Sequence, residues 1–330
     1  MSITVEAKQA EGSGKSAPRR RRRWLSWLVV TFLAVWAVVR VAGAETGSFL
    51  TQLMTITPYG AVLALVLAVA FVRRNRPAAL VALAASLLMA ATVAPRAFAA
   101  GEQPAGGTPF KVLTINLFGR ADPQTVVGLV RRLQPDVFSA LELTPREVAA
   151  LDAAGLAELM PHRLLQAERG ASGSGLYGRH PLTALPSLFT PIGHNMPAAA
   201  LSLPSGAKVE VVAIHPNPPL GRMVDEWNAS LAALPPPSPG AIRVLAGDFN
   251  ASLDHRAMRD LLDRGYIDAA HQVGEGLTPT WPNGRGLPPF ITIDHILADR
   301  RAGVHTVEVL DVPRTDHRGV FAELRLPAAP

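Results

Sequence analysis

Eight polar side chains stand where apolar, strand-like runs of this sequence end. Their types, carboxylates, amides and histidines, are those that bind a metal ion or move a proton. Asn116 closes the apolar run 110–116, and Glu142 sits inside the run 136–143. His215 ends the run 208–215, and Asp248 and Asn250 close LAGDFN at 245–250. Asp294 lies in IDHI at 293–296, and Asp316 and His317 precede the last apolar run, 320–326. Taken singly, most have ordinary uses. Asp248 and Asn250 are turn formers, His215 before Pro216 is a loop histidine, and Asp316 can cap a turn through the backbone two residues on. Glu142 and Asp294 resist that account, because a carboxylate flanked by apolar residues is costly to bury unless paired or metal-bound. Ionisable groups gathered around strand ends are what an active site needs.

The elements that must position these residues fill the last two thirds of the chain. Residues 110–119 form a buried-strand pattern bounded by Pro and Gly. Asp122 and Pro123 open an amphipathic helix through Leu133, with Asp as N-cap and Pro at the first helical position. Further strands are expected at 136–143, 173–182 (broken at Pro181), 198–203, 208–215, 242–246, 290–297, 304–310 and 320–326. Helices are expected at 145–158, 221–234 and 255–264. Strands outnumber helices and the two alternate irregularly, which excludes a simple doubly wound sheet. Trp281, in PTWP, either packs over the site or fills core, and core is the favoured reading.

The first hundred residues are of another kind. Hydrophobic residues make up 48% of the chain and charged residues 18%, which rules out general disorder. Residues 1–100 carry 12 Lys+Arg against 3 Asp+Glu, whereas residues 101–330 carry 20 against 23, a net of −3. The pI near 10.3 therefore belongs to the N-terminal part, and a nucleic-acid reading of the whole chain fails on location. Five arginines at 19–23 end a basic tail, residues 1–23, expected in the cytoplasm. Apolar stretches follow at about 24–43, 49–72 and 77–100, each long enough to cross a ~30 Å hydrocarbon core as a helix. Arg40 is expected to snorkel outward, and Pro58 and Gly60 to kink or shorten the second stretch. A signal peptide cleaved after Ala44 is the competing reading, disfavoured by the two apolar stretches beyond it. The arginines at 19–23 and RRNR at 73–76 would share one side, which the positive-inside rule makes cytoplasmic. After three crossings, the Gly/Pro-rich linker 101–109 and a domain at 110–330 lie outside. The expectation is a multi-pass cell-membrane protein, with the lipid bilayer as a partner and an extracytoplasmic catalytic domain.

Asn116, Glu142, GDFN at 247–250, IDHI at 293–296 and TDH at 315–317 occur in this order. Together they resemble the endonuclease/exonuclease/phosphatase family, which includes deoxyribonuclease I, apurinic endonucleases, inositol polyphosphate 5-phosphatases and neutral sphingomyelinases. GDFN alone is a modest signal, and five motifs in order are a strong one. The resemblance covers about residues 110–328. It implies a four-layer α/β sandwich of two mixed β-sheets with outer helices, preceded here by about three transmembrane helices. It also implies a divalent-metal-dependent phosphoester hydrolase, a phosphodiesterase in the first instance. Such hydrolysis needs a cation on the phosphate, an activated water and stabilisation of negative charge. With no cysteine in the chain, hard oxygen ligands suit Mg²⁺ or Mn²⁺ better than zinc.

The roles implied by the resemblance are specific. Glu142 is the main metal ligand, with Asn116 and Asp316 nearby. Asp248 orients or deprotonates the attacking water, and Asn250 holds the phosphate. His317 faces the phosphate with Asp294 as its orienting carboxylate, and His215 bonds the phosphate or the leaving group. There are departures. Family nucleases carry a tyrosine and an arginine that grip the DNA phosphate; Tyr177 and Arg179 lie in the right interval without a clear match, and Asn195 stands at the arginine's usual place. That weakens DNA as substrate and leaves a lipid headgroup, a nucleotide or extracellular nucleic acid. His295 stands where an aromatic residue is more usual, and no role is assigned to it. An extracytoplasmic nuclease and a catalytically degenerate binding module of the same fold are the alternatives.

Overall fold

The structure, a computed structural model, describes residues 17–100, 106–284 and 286–327. Residues 1–16 of the expected tail and 101–105 of the expected linker lie outside the described residues. Two six-stranded sheets form the centre. One contains β1 (Thr108–Asn116), β2 (Val137–Leu141), β3 (His162–Gln166), β4 (Ser174–Gly178), β11 (Gly303–Leu310) and β12 (Gly319–Leu326), in the order β11-β12-β1-β2-β4-β3. The other contains β5 (Leu182–Ala184), β6 (Ala198–Ser202), β7 (Lys208–Ile214), β8 (Ile242–Asp248), β9 (Tyr266–Asp268) and β10 (Asp294–Asp299), in the order β5-β6-β7-β8-β10-β9. Both are mixed: β1 runs parallel to β2 and β7 parallel to β8, while the remaining pairs are antiparallel.

Alternation along the strands builds the layers, because successive side chains point to opposite faces of a sheet. Phe110 and Val112 of β1 meet Val211, Val244 and Ile296 of the other sheet in a shared core. Leu113 and Ile115 point the other way, onto α5 (Pro123–Leu133), α6 (Pro145–Ala153) and α7 (Leu156–Leu159). On the far side, Val212, Leu245 and Leu297 pack under α8 (Val224–Ala233) and α9 (Arg256–Asp263). The result is the expected four-layer sandwich. Asp122 caps α5 as anticipated, accepting from Thr125 N at 2.9 Å.

Several boundaries differ from the sequence reading. The helix expected at 145–158 divides at Gly155, whose φ of 97° ends one helical run and starts another. The run 173–182 yields β4 and β5, which belong to different sheets, so the break at Pro181 carries the chain across the sandwich. β3, β9 and the short α10 (Ala269–Gln272) were not anticipated.

The N-terminal region consists of α1 (Ala17–Ala42), α2 (Gly47–Thr55), α3 (Thr57–Phe71) and α4 (Arg76–Val93), followed by a 3₁₀ turn at Ala94–Ala97. Among the described residues, two helical segments are long and apolar enough to cross a membrane, Trp24–Ala42 and Arg76–Ala97. The helical backbone begins at Ala17, ahead of the apolar stretch. The second expected span is broken, with α2 and α3 meeting at 78°. At 15 residues, α3 alone reaches only about 22 Å. Val30 packs beside Ala68 and Ala78, whereas Trp36 packs farther along, beside Ala61 and Ala85. That register places the start of α1 and the 73–76 turn at one end of the helices. Toward the other end, beside Trp36, Gly60 is needed, since a Cβ would stand 2.6 Å from that ring. Arg40 does not snorkel outward. It is buried, and it bonds Asp254 at the other end.

Candidate active site

Strand polarity brings the eight singled-out residues to one end of the sandwich. Asn116 ends β1, Glu142 follows β2, His215 follows β7 and Asp248 ends β8. Asp294 opens β10, antiparallel to β8 and directly opposite Asp248. Asp316 and His317 precede β12, antiparallel to β1. Close approach of β7 and β8 requires Gly247: a Cβ there would stand 1.9 Å from the Ile214 carbonyl oxygen. Glu142 and Asn250 both adopt φ of 49°, left-handed backbone that costs a residue other than glycine about 1–3 kcal/mol and recurs at functional sites.

Asn116 is the hub. Its Nδ2 donates to Glu142 Oε1 at 3.2 Å and to Asp248 Oδ2 at 3.1 Å, while its Oδ1 accepts from Phe118 N at 3.0 Å. Two carboxylates thus turn toward one amide. His215 Nε2 lies 3.8 Å from Asp248 Oδ2 and 4.0 Å from Glu142 Oε1. His317 Nδ1 bonds Asp294 at 2.9 Å, and its Nε2 faces Asp248 Oδ2 at 3.6 Å. Asp316 Oδ1 lies 4.0 Å from His317 Nε2, and its Oδ2 accepts from Trp281 Nε1 at 3.2 Å. Asn250 donates its backbone N–H to Asp248 Oδ1 at 2.8 Å and its side-chain amide to Pro216 O at 3.1 Å. All eight residues therefore lie in one connected cluster.

The electrostatics divide the roles. Burial pushes the Asp248 carboxyl up; His317 opposes this and Asp294 adds to it, leaving it at about 7. Burial alone would push the His317 imidazole down, but the Asp294 and Asp248 carboxylates outweigh it and raise it to about 10. His215 is held well below the usual histidine range by burial and by the His194 and His317 rings, so it is neutral near pH 7. The ligand-type atoms of Asp248, Asp294 and His317 lie within 4.8 Å of one another. His317 Nδ1 already bonds Asp294, so these three suit proton handling. Glu142 and Asp248 around the Asn116 amide, with Asp316 nearby, offer the hard oxygens that a divalent cation prefers.

Three features escaped the sequence reading, and a fourth, Trp281, takes the less favoured of its two expected places. His194 packs on His215, with Nδ1 atoms 3.2 Å apart. His295 is buried and takes a supporting role: its Nδ1 bonds Asp268 at 2.8 Å and its Nε2 bonds Ala251 O at 2.9 Å. Trp281 is half-buried and bonds Asp316, rather than filling core. A hollow of about 300 Å³ beside Asp316 is flanked by the exposed Arg120 and Arg314. None of these has a local sequence signal, apart from the aromatic in PTWP. The two residues weighed against the family's phosphate-gripping pair make other contacts. Tyr177 is fully buried and stacked on Phe138, and Asn195 bonds Glu168 at 3.0 Å.

Comparison with known proteins agrees with this geometry. Solved structures sharing the fold include an endonuclease/exonuclease/phosphatase protein from Beutenbergia cavernae, 19% identical, covering 67% of this chain and 72% of that one, with a TM-score of 0.52. A humanized TDP2 of D. rerio is 18% identical, with coverages of 66% and 99% and a TM-score of 0.55. The 3′ phosphatase NExo from Neisseria, bound to a product DNA hairpin, is 22% identical, with coverages of 64% and 98% and a TM-score of 0.51. No curated protein matches the chain. Residues 113–317 match the Endonuclease/Exonuclease/phosphatase family, and with well over half of its length so matched, the chain belongs to that family.

Proposed function

We propose that the protein is a divalent-metal-dependent phosphoester hydrolase, a phosphodiesterase in the first instance, anchored in a membrane by its N-terminal helices. One observation carries the reading: Asp248, at about 7, faces His317 across 3.6 Å while Asp294 holds the far side of that ring. A carboxylate near neutrality is matched to taking a proton from water at physiological pH. In this reading, Asp248 orients the attacking water and accepts its proton. His317, cationic and fixed through Nδ1, directs its Nε2–H at a phosphate oxygen. Asn250 holds the same phosphate, and neutral His215 offers a hydrogen bond to a phosphate oxygen or the leaving group. Glu142, Asn116 and Asp316 would hold Mg²⁺ or Mn²⁺, for which the oxygen-rich, thiol-free donor set is suited. That ion would supply Lewis-acid polarisation of the phosphate.

The two arginine-rich segments sit at the end of the helices away from the catalytic domain. This arrangement supports an extracytoplasmic catalytic domain under the positive-inside rule. The substrate is then a phosphodiester met at or outside the membrane, with Arg120 and Arg314 placed to grip a flanking anionic group. A second reading, an extracytoplasmic nuclease, draws on the product DNA bound to NExo. The test is turnover of bis-p-nitrophenyl phosphate, plasmid DNA, RNA, phospholipids and inositol phosphates by the detergent-solubilised full chain, with Mg²⁺ or Mn²⁺ and then with EDTA. Metal-dependent turnover lowered about 10²-fold or more by Asp248→Ala is expected. An absence of such turnover over the whole panel would leave a degenerate binding module. Plasmid nicking that weakens steeply with salt, with lipids untouched, would favour the nuclease.

A further inference from the structure

Segment 249–255, which leaves β8 just after Asp248 and carries Asn250, is held from three directions. His295 Nε2 bonds Ala251 O from β10. Trp227 of α8 donates from Nε1 to Phe249 O at 3.0 Å and meets the His255 ring edge-on at 5.1 Å. The third set of holds comes from the membrane helices. Asp254, 1% exposed, accepts from Arg40 Nε of α1 at 2.5 Å and from Arg96 Nη1 and Nη2, after α4, at 2.8 and 2.7 Å. Both arginines are themselves buried. His255 accepts from Ser252 N through Nδ1 at 2.9 Å, so its Nε2 carries the proton donated to Thr51 O of α2, 2.9 Å away.

Three charges taken out of water cost several kcal/mol per ion unless the set is complete. The buried triad therefore fixes its three backbone segments relative to one another. A second tie runs parallel to it. Tyr59 of α3 donates to Phe290 O at 2.8 Å, Phe290 packs on Trp281 with ring centroids 6.2 Å apart, and Trp281 bonds Asp316. Two loops of the site thus rest on the membrane region.

We propose that Asp254 is a positioning residue: clamped by Arg40 and Arg96, it sets segment 249–255 so that Asp248 and Asn250 reach working geometry only when the catalytic domain is seated on its own membrane helices. This rests on reading the site as a phosphoester hydrolase. Misplacing a reacting group by about 1 Å can cost about 10²-fold in rate, so a small shift of this segment suffices.

The test uses the full chain in detergent micelles, labelled with 5-fluorotryptophan, the Trp227 ¹⁹F resonance being assigned with Trp227→Phe. Asp254→Asn should lower kcat for bis-p-nitrophenyl phosphate by about tenfold or more, keep KM within about threefold, and move the Trp227 resonance. A purely structural role would lower the melting temperature and leave kcat of the folded protein unchanged. If Asp254→Asn does not fold, the triple variant Arg40→Met/Asp254→Leu/Arg96→Met decides, since it leaves no charge buried. The clamp is supported if the folded triple variant keeps the low kcat and the shifted resonance. Wild-type kcat with an unmoved resonance in either folded variant overturns the proposal. The resonance also separates the two claims: a wild-type protein inactive on every phosphoester defeats the hydrolase reading, while the Trp227 shift still reports the clamp.

Discussion

Substituting Asp268 by Asn tests whether the buried His295 beneath segment 249–255 is an imidazolium. In the wild type both ring nitrogens face acceptors, the Asp268 carboxylate at 2.8 Å and Ala251 O at 2.9 Å, so both must carry protons. Burial disfavours that charge, and the Asp268 hydrogen bond and carboxylate outweigh it, raising the His295 pKa. In turn, burial would raise the Asp268 carboxyl, but His295 outweighs burial and lowers it. The amide introduced by Asp268→Asn would reverse the polarity at Nδ1, donating to a neutral ring while its oxygen still accepts from His271 N, now 2.7 Å from the carboxylate. Both ring nitrogens and the His271 N–H keep partners, so the cost is mainly the charge-assisted part, about 2 kcal/mol, or about 4–8 °C in Tm. Its pH dependence follows from the two directions. The raised His295 contributes fully below the unfolded value of about 6.5, and that contribution is lost as pH rises through its folded pKa. The lowered Asp268 contributes above about 3.9 and is lost as pH falls through its folded value. The Tm gap between wild type and Asp268→Asn, measured on the full chain in detergent, should be widest between about pH 4 and 6.5 and should narrow toward pH 9. A gap that stays constant from pH 5 to pH 9 would refute a charged His295.

Other outcomes follow from the same geometry. Glu142→Gln keeps the Asn116 hydrogen bond but removes a hard anionic ligand, so the Mn²⁺ concentration for half-maximal activity should rise about tenfold or more, measured by metal titration. Gly247→Ala drives a methyl into the Ile214 carbonyl and should abolish a cooperative melt, whereas the same change at solvent-facing Gly128 should not. Arg120→Ala with Arg314→Ala should raise KM by several-fold for substrates with a flanking anionic group and leave kcat nearly unchanged. An alkaline phosphatase fused after the last residue should be active; activity of a cytoplasm-only reporter at that position would reverse the proposed orientation.

The cluster was legible in the sequence because each member interrupts or ends an apolar run, where a polar residue has no packing reason to be. Asp294 beside His317 and Asn116 beside Glu142 are proximities that the ordered motifs led one to expect, whereas the bond from Asn116 to Asp248 had no counterpart in that reading. The limits of that reading have physical causes. β3 is an edge strand with no fully buried position, so alternation is absent from its sequence. Pro181 marks a break in either of two situations, a kinked strand or a change of sheet, and only tertiary pairing decides between them. Arg40 and Arg96 look alike in sequence, as basic residues ending apolar helices, and snorkelling explains such residues without any partner. Asp254 likewise resembles a turn acid before α9. Their meaning is pairwise, with partners 214 and 158 residues apart, and no local window contains both charges. For the same reason the chain looks divisible at its Gly/Pro-rich linker, whereas the folded protein places Asp254, a buried acid of the C-terminal sandwich, between two arginines of the N-terminal helices. Covalent connection runs through the linker, and under the proposed clamp mechanical connection runs through Asp254.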